Sequence, residues 1–310
     1  MKPWRATRDL RHRLPGFLFG TSTILLVGLS APRSSSQQVR GDLRLHEFAS
    51  RVYGNTRQLR VLVPAGYDAP GNRDRRYPVL YLNDGQNLFD SSTSVLNPME
   101  WRVDETVQEL TTLGRIPPMI VVGIDNAGRR GRFREYFPWF DEYLRPPELD
   151  PQGTRYPEFL VGDVMQFVNS RYRTLRDPGS TGLGGSSAGG LAAVYAVIHR
   201  PGVFGRLLVE SPSIYVDSAR ILGEAASVTQ WPERVYLGVG TNESGRPGCS
   251  PTSAAEPELV RDVRRLERII TASRAQARVK VLVIPCAVHN EAAWAARLPE
   301  ALMFLFGAHE

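Results

Sequence analysis

The sequence predicts an open, mostly parallel α/β sheet with helices on both faces. Three observations carry this. Short continuous apolar runs (VLYL, IVVGI, LLV, VLVI) read as strands covered on both sides. Helical patterns alternate with them along the chain, as repeated β-α units require. Two strands come first, before any such unit, and read as an antiparallel start to the sheet.

The first two strands are placed at Leu43–Phe48 and Arg57–Val63. The apolar runs then give strands at Val79–Asn83, Met119–Ile124, Ser180–Gly184, Arg206–Glu210, Val235–Val239 and Val279–Ile284. Helices are expected at Pro157–Tyr172, Ala188–His199, Glu256–Arg274 and Glu291–Phe306. The third of these sets Leu259, Val263, Leu266 and Ile270 three and four residues apart, one apolar stripe for the sheet. The Arg-, Pro- and aromatic-rich stretch Gly128–Pro151 reads as an insertion over the top of the sheet.

Composition agrees with a globular chain. Hydrophobic residues make up 42% and charged ones 23% of 310 residues, which excludes disorder throughout. The 28 Gly and 23 Pro follow no three-residue period, which excludes a collagen-like chain. The formal charge of +6 is concentrated at the N-terminus, where Lys2, Arg5, Arg8, Arg11 and Arg13 face only Asp9. Without residues 1–31 the charge is +2, so neither nucleic acid nor an anionic membrane is an expected partner.

After Arg13, the run Phe17–Leu29 is mostly apolar, and Leu29-Ser30-Ala31 supplies small residues before a polar stretch. This is the pattern of a secretory signal. A bilayer-spanning helix needs about 20 apolar residues, more than any run here. No Cys comes just after the apolar run, which argues against a lipoprotein. The expected organisation is a signal at 1–31, a flexible segment at 32–40 and one domain at 41–310. Export to the periplasm or beyond follows from it, with no stable membrane insertion after signal removal.

Active sites of such sheets lie at the carboxyl ends of the strands. There, Gly185-Ser186-Ser187-Ala188-Gly189 joins a strand to a helix as a single G-x-S-x-G match. A nucleophile elbow needs a sharp turn that holds its Ser in a strained conformation, and Gly185 and Gly189 remove side chains that would collide there. A phosphate loop would require a Lys that is absent. Ser186 is the poorer nucleophile, since its own pattern lacks the second Gly.

Serine needs a base, and the base needs an orienting acid, in the chain order Ser, acid, His. His289 falls in the loop between the last strand and the last helix, where the base belongs. His199 lies inside the helix after the elbow, and His309 is next to last in the chain. Glu243 is the one carboxylate in the loop after the strand at 235–239, with Glu210 and Asp217 as rivals. Two N–H donors are needed for the oxyanion. Ala188, after the nucleophile, and Gln86, in the loop Asn83–Asn87, are the candidates.

These residues resemble a known family. YPVLYLNDGQNLFD (Tyr77–Asp90), VVGIDN (Val121–Asn126), REYFPW (Arg134–Trp139), GGSSAGG, ESPSIY (Glu210–Tyr215), GTNE (Gly240–Glu243) and HNEAAW (His289–Trp294) are similar to the putative-esterase family of α/β-hydrolases. That family includes enterochelin, feruloyl and acetyl-xylan esterases, esterase D and mycolyltransferases, and the likeness spans nearly all of residues 45–308. It implies an α/β-hydrolase fold and acyl-ester chemistry without a cofactor. It also implies Ser187, His289 and a carboxylate at or near Glu243 as catalytic residues, with Gln86 and Ala188 as the oxyanion hole.

The substrate expected is a small-molecule or carbohydrate-linked ester, whose identity does not follow from the fold. Trp139, Tyr215 and Trp294, with Phe140 and Tyr143, offer aromatic surface for a phenolic acyl group, and they fit core packing equally well. Arg129, Arg130, Arg132 and Arg134 form a basic cluster that suits either a carboxylate or catecholate, or solvent. Acylation of Ser187 requires neutral His289, so activity should fall below roughly pH 6–7. An acyltransferase with the same triad, and a non-catalytic binding protein on the same fold, are the alternatives.

Cys249 and Cys286 are the two cysteines. With the five His residues they show no metal-ligand spacing, and no metal site is expected. They fall in the loops that should present acid and base, so a bridge there would stiffen the site in an exported protein.

Overall fold

A computed structural model describes residues 39–94, 98–142, 144, 150–251 and 256–308. Its strands are β1 (Asp42–Ala49), β2 (Thr56–Val63), β3 (Val79–Asn83), β4 (Ile120–Ile124), β5 (Thr181–Ser186), β6 (Arg206–Glu210), β7 (Arg234–Gly240) and β8 (Arg278–Ile284). They form one sheet in the order β1-β2-β4-β3-β5-β6-β7-β8. The pairs β1/β2 and β2/β4 are antiparallel, and every later pair is parallel. All eight expected strands are present. This is the α/β-hydrolase fold, with the expected antiparallel start.

The strand pleat sorts side chains between two cores. On β3, Leu80 and Leu82 face a core that includes Leu208 and Tyr236. Helices α1 (Val103–Thr112) and α8 (Glu291–Phe306) cover it with Val107, Leu110, Leu298 and Leu302. Val79 and Tyr81 face the other core with Val122, Leu207 and Leu237. There α5 (Ser187–His199) and α7 (Glu258–Ala272) supply Leu191, Val194, Val263 and Leu266. Neighbouring residues on one strand therefore serve opposite cores, which is why the middles of these strands are apolar runs.

The remaining helices are α2 (Gly128–Tyr136), α3 (Tyr156–Glu158), α4 (Met165–Arg171) and α6 (Val216–Ala225). A π-helical segment, Phe159–Val164, separates α3 from α4, so the helix expected at 157–172 is not uniform. A Cβ on Gly162 within it would lie 2.3 Å from the Glu158 carboxylate. The stretch at 128–151 differs from the expected insertion in starting with a regular helix. The buried residues of α2 are Arg132, Glu135 and Tyr136, and ion pairs hold it: Arg132 to Asp84 at 2.7 Å and Glu135 to Arg57 at 2.7 Å. No helix among the described residues is long and apolar enough to cross a membrane. The signal expected at 1–31, most of the segment 32–40, Tyr143 and His309 lie outside the described residues.

Candidate active site

β5 ends at Ser186, and α5 begins at Ser187 with φ 55°, in the left-handed region that non-glycine residues avoid. The neighbouring glycines make that turn possible. A Cβ on Gly185 would lie 2.7 Å from the backbone of Gly189, and one on Gly189 would lie 3.0 Å from the Asp84 carboxylate. The Ser213 N–H donates to the Ser187 carbonyl at 3.0 Å and ties the elbow to the loop after β6.

The loops after β7 and β8 bring Glu243 to His289. The imidazole Nδ1–H donates to Glu243 Oε2 at 2.7 Å, leaving Nε2 as the basic nitrogen. The other carboxylate oxygen, Oε1, accepts from the Gly240 N–H at 2.6 Å and from the Ser211 hydroxyl at 2.8 Å. Burial pushes the Glu243 carboxyl up. The hydrogen bonds from His289, Gly240 and Ser211 outweigh it, so the group sits below its ordinary value. His289 is followed by Asn290, whose side chain accepts from the Ala293 N–H and caps α8 at 2.9 Å. Trp294, one turn on, sets its ring at 83° to the imidazole with centroids 5.1 Å apart.

Ser187 and His289 line two clefts together. One, of about 200 Å³, is walled by Asp84, Gln86, Arg129, Phe133 and Glu291. The other, of about 410 Å³, is walled by Pro212, Tyr215, Leu259 and Asp262. In the first, Asp84 has φ 58° and turns β3 into the short 3₁₀ segment Gly85–Asn87, which carries Gln86. There is no room for a side chain at Gly85, where a Cβ would fall 2.6 Å from the backbone of Gly123. Asp84 is held by Arg132 at 2.7 and 2.8 Å and by Asn126 at 2.7 Å. Ala188 is the second residue of α5 and Gln86 the second of its segment. Backbone N–H groups at such positions have no carbonyl partner within their own helix.

The aromatic candidates separate. Tyr215 is 44% exposed and lines the larger cleft. Trp294 lines the smaller cleft but is buried between His289 and Trp101. Trp139 lines neither; it is buried against Tyr195, under the Arg220 guanidinium, as the packing reading has it. Of the basic cluster, Arg132 pairs with Asp84, Arg134 pairs with Asp150, and Arg129 reaches the smaller cleft. His199 lies on an exposed face beside Glu224, and Asp217 pairs with Arg220; the carboxylate that meets His289 is Glu243.

Glu210, the other rival acid, is fully buried with Arg297 of α8 at 2.6 Å. Burial pushes its carboxyl up to about 7, against the pull of Arg297. Ser211, Arg297 and Glu291 were not singled out by the sequence. Glu291 is buried in the smaller cleft, its carboxyl raised by burial, and accepts from the Asn87 amide at 3.0 Å. No cluster of His, Cys, Asp and Glu among the described residues could hold a metal ion.

Cys249 and Cys286 form a disulfide with Cα atoms 5.8 Å apart, joining the loop that carries Glu243 to the loop that carries His289. It closes a loop across 37 positions, for which chain entropy gives about 3–4 kcal/mol of stabilisation. Reduction should lower the denaturant midpoint accordingly. Identical unfolding curves with and without dithiothreitol would show that the bridge adds nothing.

The fold and this site define a serine hydrolase that acts on ester bonds. The chain belongs to the esterase family described as "Putative esterase", whose model matches residues 50–305. It is 23% identical over 207 residues to the uncharacterized protein YbbA of Bacillus subtilis, covering 66% of this chain and 74% of that one. It is 32% identical over 157 residues to the siderophore enterobactin esterase of Emericella nidulans, covering 47% of this chain and 49% of that protein. The chain thus spans about half the length of that esterase. The crystal structure of an IroE-like serine hydrolase from Shewanella oneidensis superimposes with a TM-score of 0.64 at 21% identity, covering 86% and 80% of the two chains.

Proposed function

We propose that this protein is an exported esterase that cleaves carboxylic esters through an acyl-enzyme on Ser187. The hydrogen bond from His289 to Glu243 carries the reading: it joins residues 46 apart, at 2.7 Å, beside a serine held at positive φ. His289 Nε2 takes the Ser187 proton as Oγ bonds to the ester carbonyl carbon. The oxyanion that forms is met by the N–H groups of Gln86 and Ala188, the latter at the positive end of α5. His289 then returns its proton to the departing alcohol as the C–O bond breaks. A water deprotonated by His289 attacks the acyl carbon, and release of the acid restores the Ser187 hydroxyl.

Two clefts meeting at Ser187 give the acyl and alcohol halves of the ester separate sites. An ester that carries an aromatic ring suits the smaller cleft, with Phe133 to pack against the ring and Arg129 for an anionic substituent. The basic N-terminal stretch followed by 13 mostly apolar residues supports export. Labelling with a fluorophosphonate tests the mechanism. Tryptic mass mapping should place one adduct on Ser187 in the wild type and none in Ser187→Ala. An adduct on Ser186, or none in either protein, would overturn the assignment.

A further inference from the structure

We propose that Ser211 is a positioning residue for this reaction: its one hydroxyl proton is forced onto Glu243 and fixes that carboxylate for His289. The inference rests on the site reading above and extends it to a residue outside the triad.

A serine oxygen offers one proton and two lone pairs. The Trp294 indole, which can only donate, places Nε1 3.1 Å from Ser211 Oγ. The Arg297 guanidinium, also donor only, lies 3.5 Å away through Nη2. With both donors directed at the oxygen, the hydroxyl proton is left for Glu243 Oε1 at 2.8 Å, an acceptor that has no proton to offer. Of the three side chains that meet this oxygen, two only donate and Glu243 accepts.

The backbone is fixed as well. Ser211 is fully buried with φ 43°, and its N–H donates to the Gly238 carbonyl at 2.8 Å. Arg297 is anchored by Glu210, two hydrogen bonds of 2.6 and 2.8 Å between fully buried groups. A Cβ on Gly238 would lie 2.3 Å from that Glu210 carboxylate, so β7 passes there only as glycine. Trp294 therefore acts twice. Its ring edge braces His289, and its N–H directs the hydroxyl that holds the acid.

The test compares pH–rate profiles of p-nitrophenyl acetate hydrolysis and melting temperatures for the wild type, Ser187→Ala, Ser211→Ala, Trp294→Phe and the Ser211/Trp294 double variant. Ser211→Ala should lower kcat about tenfold with KM unchanged, as for one lost hydrogen bond to a charged group. Its acid limb should move to higher pH, because a carboxylate with fewer donors holds a protonated imidazole more tightly. The charged groups near the pair stay the same: Glu210 and Arg297 behind it, Asp84, Arg129, Arg132 and Glu291 in one cleft, Glu258 and Asp262 in the other. Trp294→Phe keeps the ring against His289 and frees the hydroxyl, so it should shift kcat and limb in the same direction by less. The double variant should be no worse than Ser211→Ala alone.

Unchanged kcat and acid limb in Ser211→Ala, or additive losses in the double variant, would overturn the inference. Should Ser211→Ala fail to fold, Trp294→Phe decides alone, and a wild-type profile there overturns it. Undiminished turnover in Ser187→Ala is a different failure: it would remove the site reading and this inference with it.

Discussion

Ser187→Ala lowers kcat for p-nitrophenyl acetate by about 10⁶, the loss expected when the nucleophile of a coupled serine–histidine pair is removed. The size follows from the site. In the proposed mechanism the base and its orienting acid work only through the Ser187 oxygen, so deleting that oxygen disables both at once. What survives is the modest rate that the Gln86 and Ala188 N–H groups support for attack by water. The effect on folding should be small. Ser187 is held at φ 55°, a strain that alanine keeps, and it lines both clefts rather than the core. A melting temperature near the wild type, with kcat abolished, separates chemistry from stability. Retention of kcat within tenfold would rule Ser187 out as the nucleophile.

The central strands β3 to β7 were legible because they are buried on both faces, which calls for the apolar runs that local sequence carries. VLYL shows this best, its alternate residues entering opposite cores. Helix α2 was not legible because its buried residues include Arg132 and Glu135, whose burial depends on Asp84 and Arg57 elsewhere in the chain. No apolar period marks such a helix. α1 is short and has no side-chain cap, and α6 is interrupted near its start by Asp217, Ser218 and Ala219 at positive φ.

The same division runs through the site. The elbow is local: glycine, serine and strand–helix order lie within five residues, so GSSAG announces itself. Glu243 and His289 follow from their places after β7 and β8. Ser211 and Arg297 do not, because their roles arise from neighbours 32 and 87 positions away. Glu210 illustrates the limit. At the end of a strand it is as plausible an acid as Glu243, and only the arginine across α8 shows that its charge is already committed.

Glu243→Gln lowers kcat at neutral pH by about 10⁴ with KM little changed, the cost seen when a triad histidine is held in the wrong tautomer. The hydrogen bonds around Glu243 dictate which way the new amide must turn. Oε1 accepts from the Gly240 N–H at 2.6 Å and from Ser211 at 2.8 Å, so the amide oxygen has to take that position or leave two donors facing an NH₂ group. The NH₂ then replaces Oε2, 2.7 Å from His289 Nδ1. Nδ1 must accept, the ring proton moves to Nε2, and the imidazole can no longer take the proton from Ser187. Charge is lost together with geometry. The wild-type carboxyl lies below its ordinary value, so it stays ionised in the neutral range where the reaction is expected to run. In Glu243→Gln no anion stabilises the imidazolium that forms during attack. Kinetics across the pH range, with a proton NMR spectrum to follow the Nδ1–H resonance, check both halves: kcat should collapse and that downfield signal should vanish. A variant that keeps the resonance and loses less than tenfold in kcat would mean that His289 is oriented by some other group and that Glu243 is not the acid of this site.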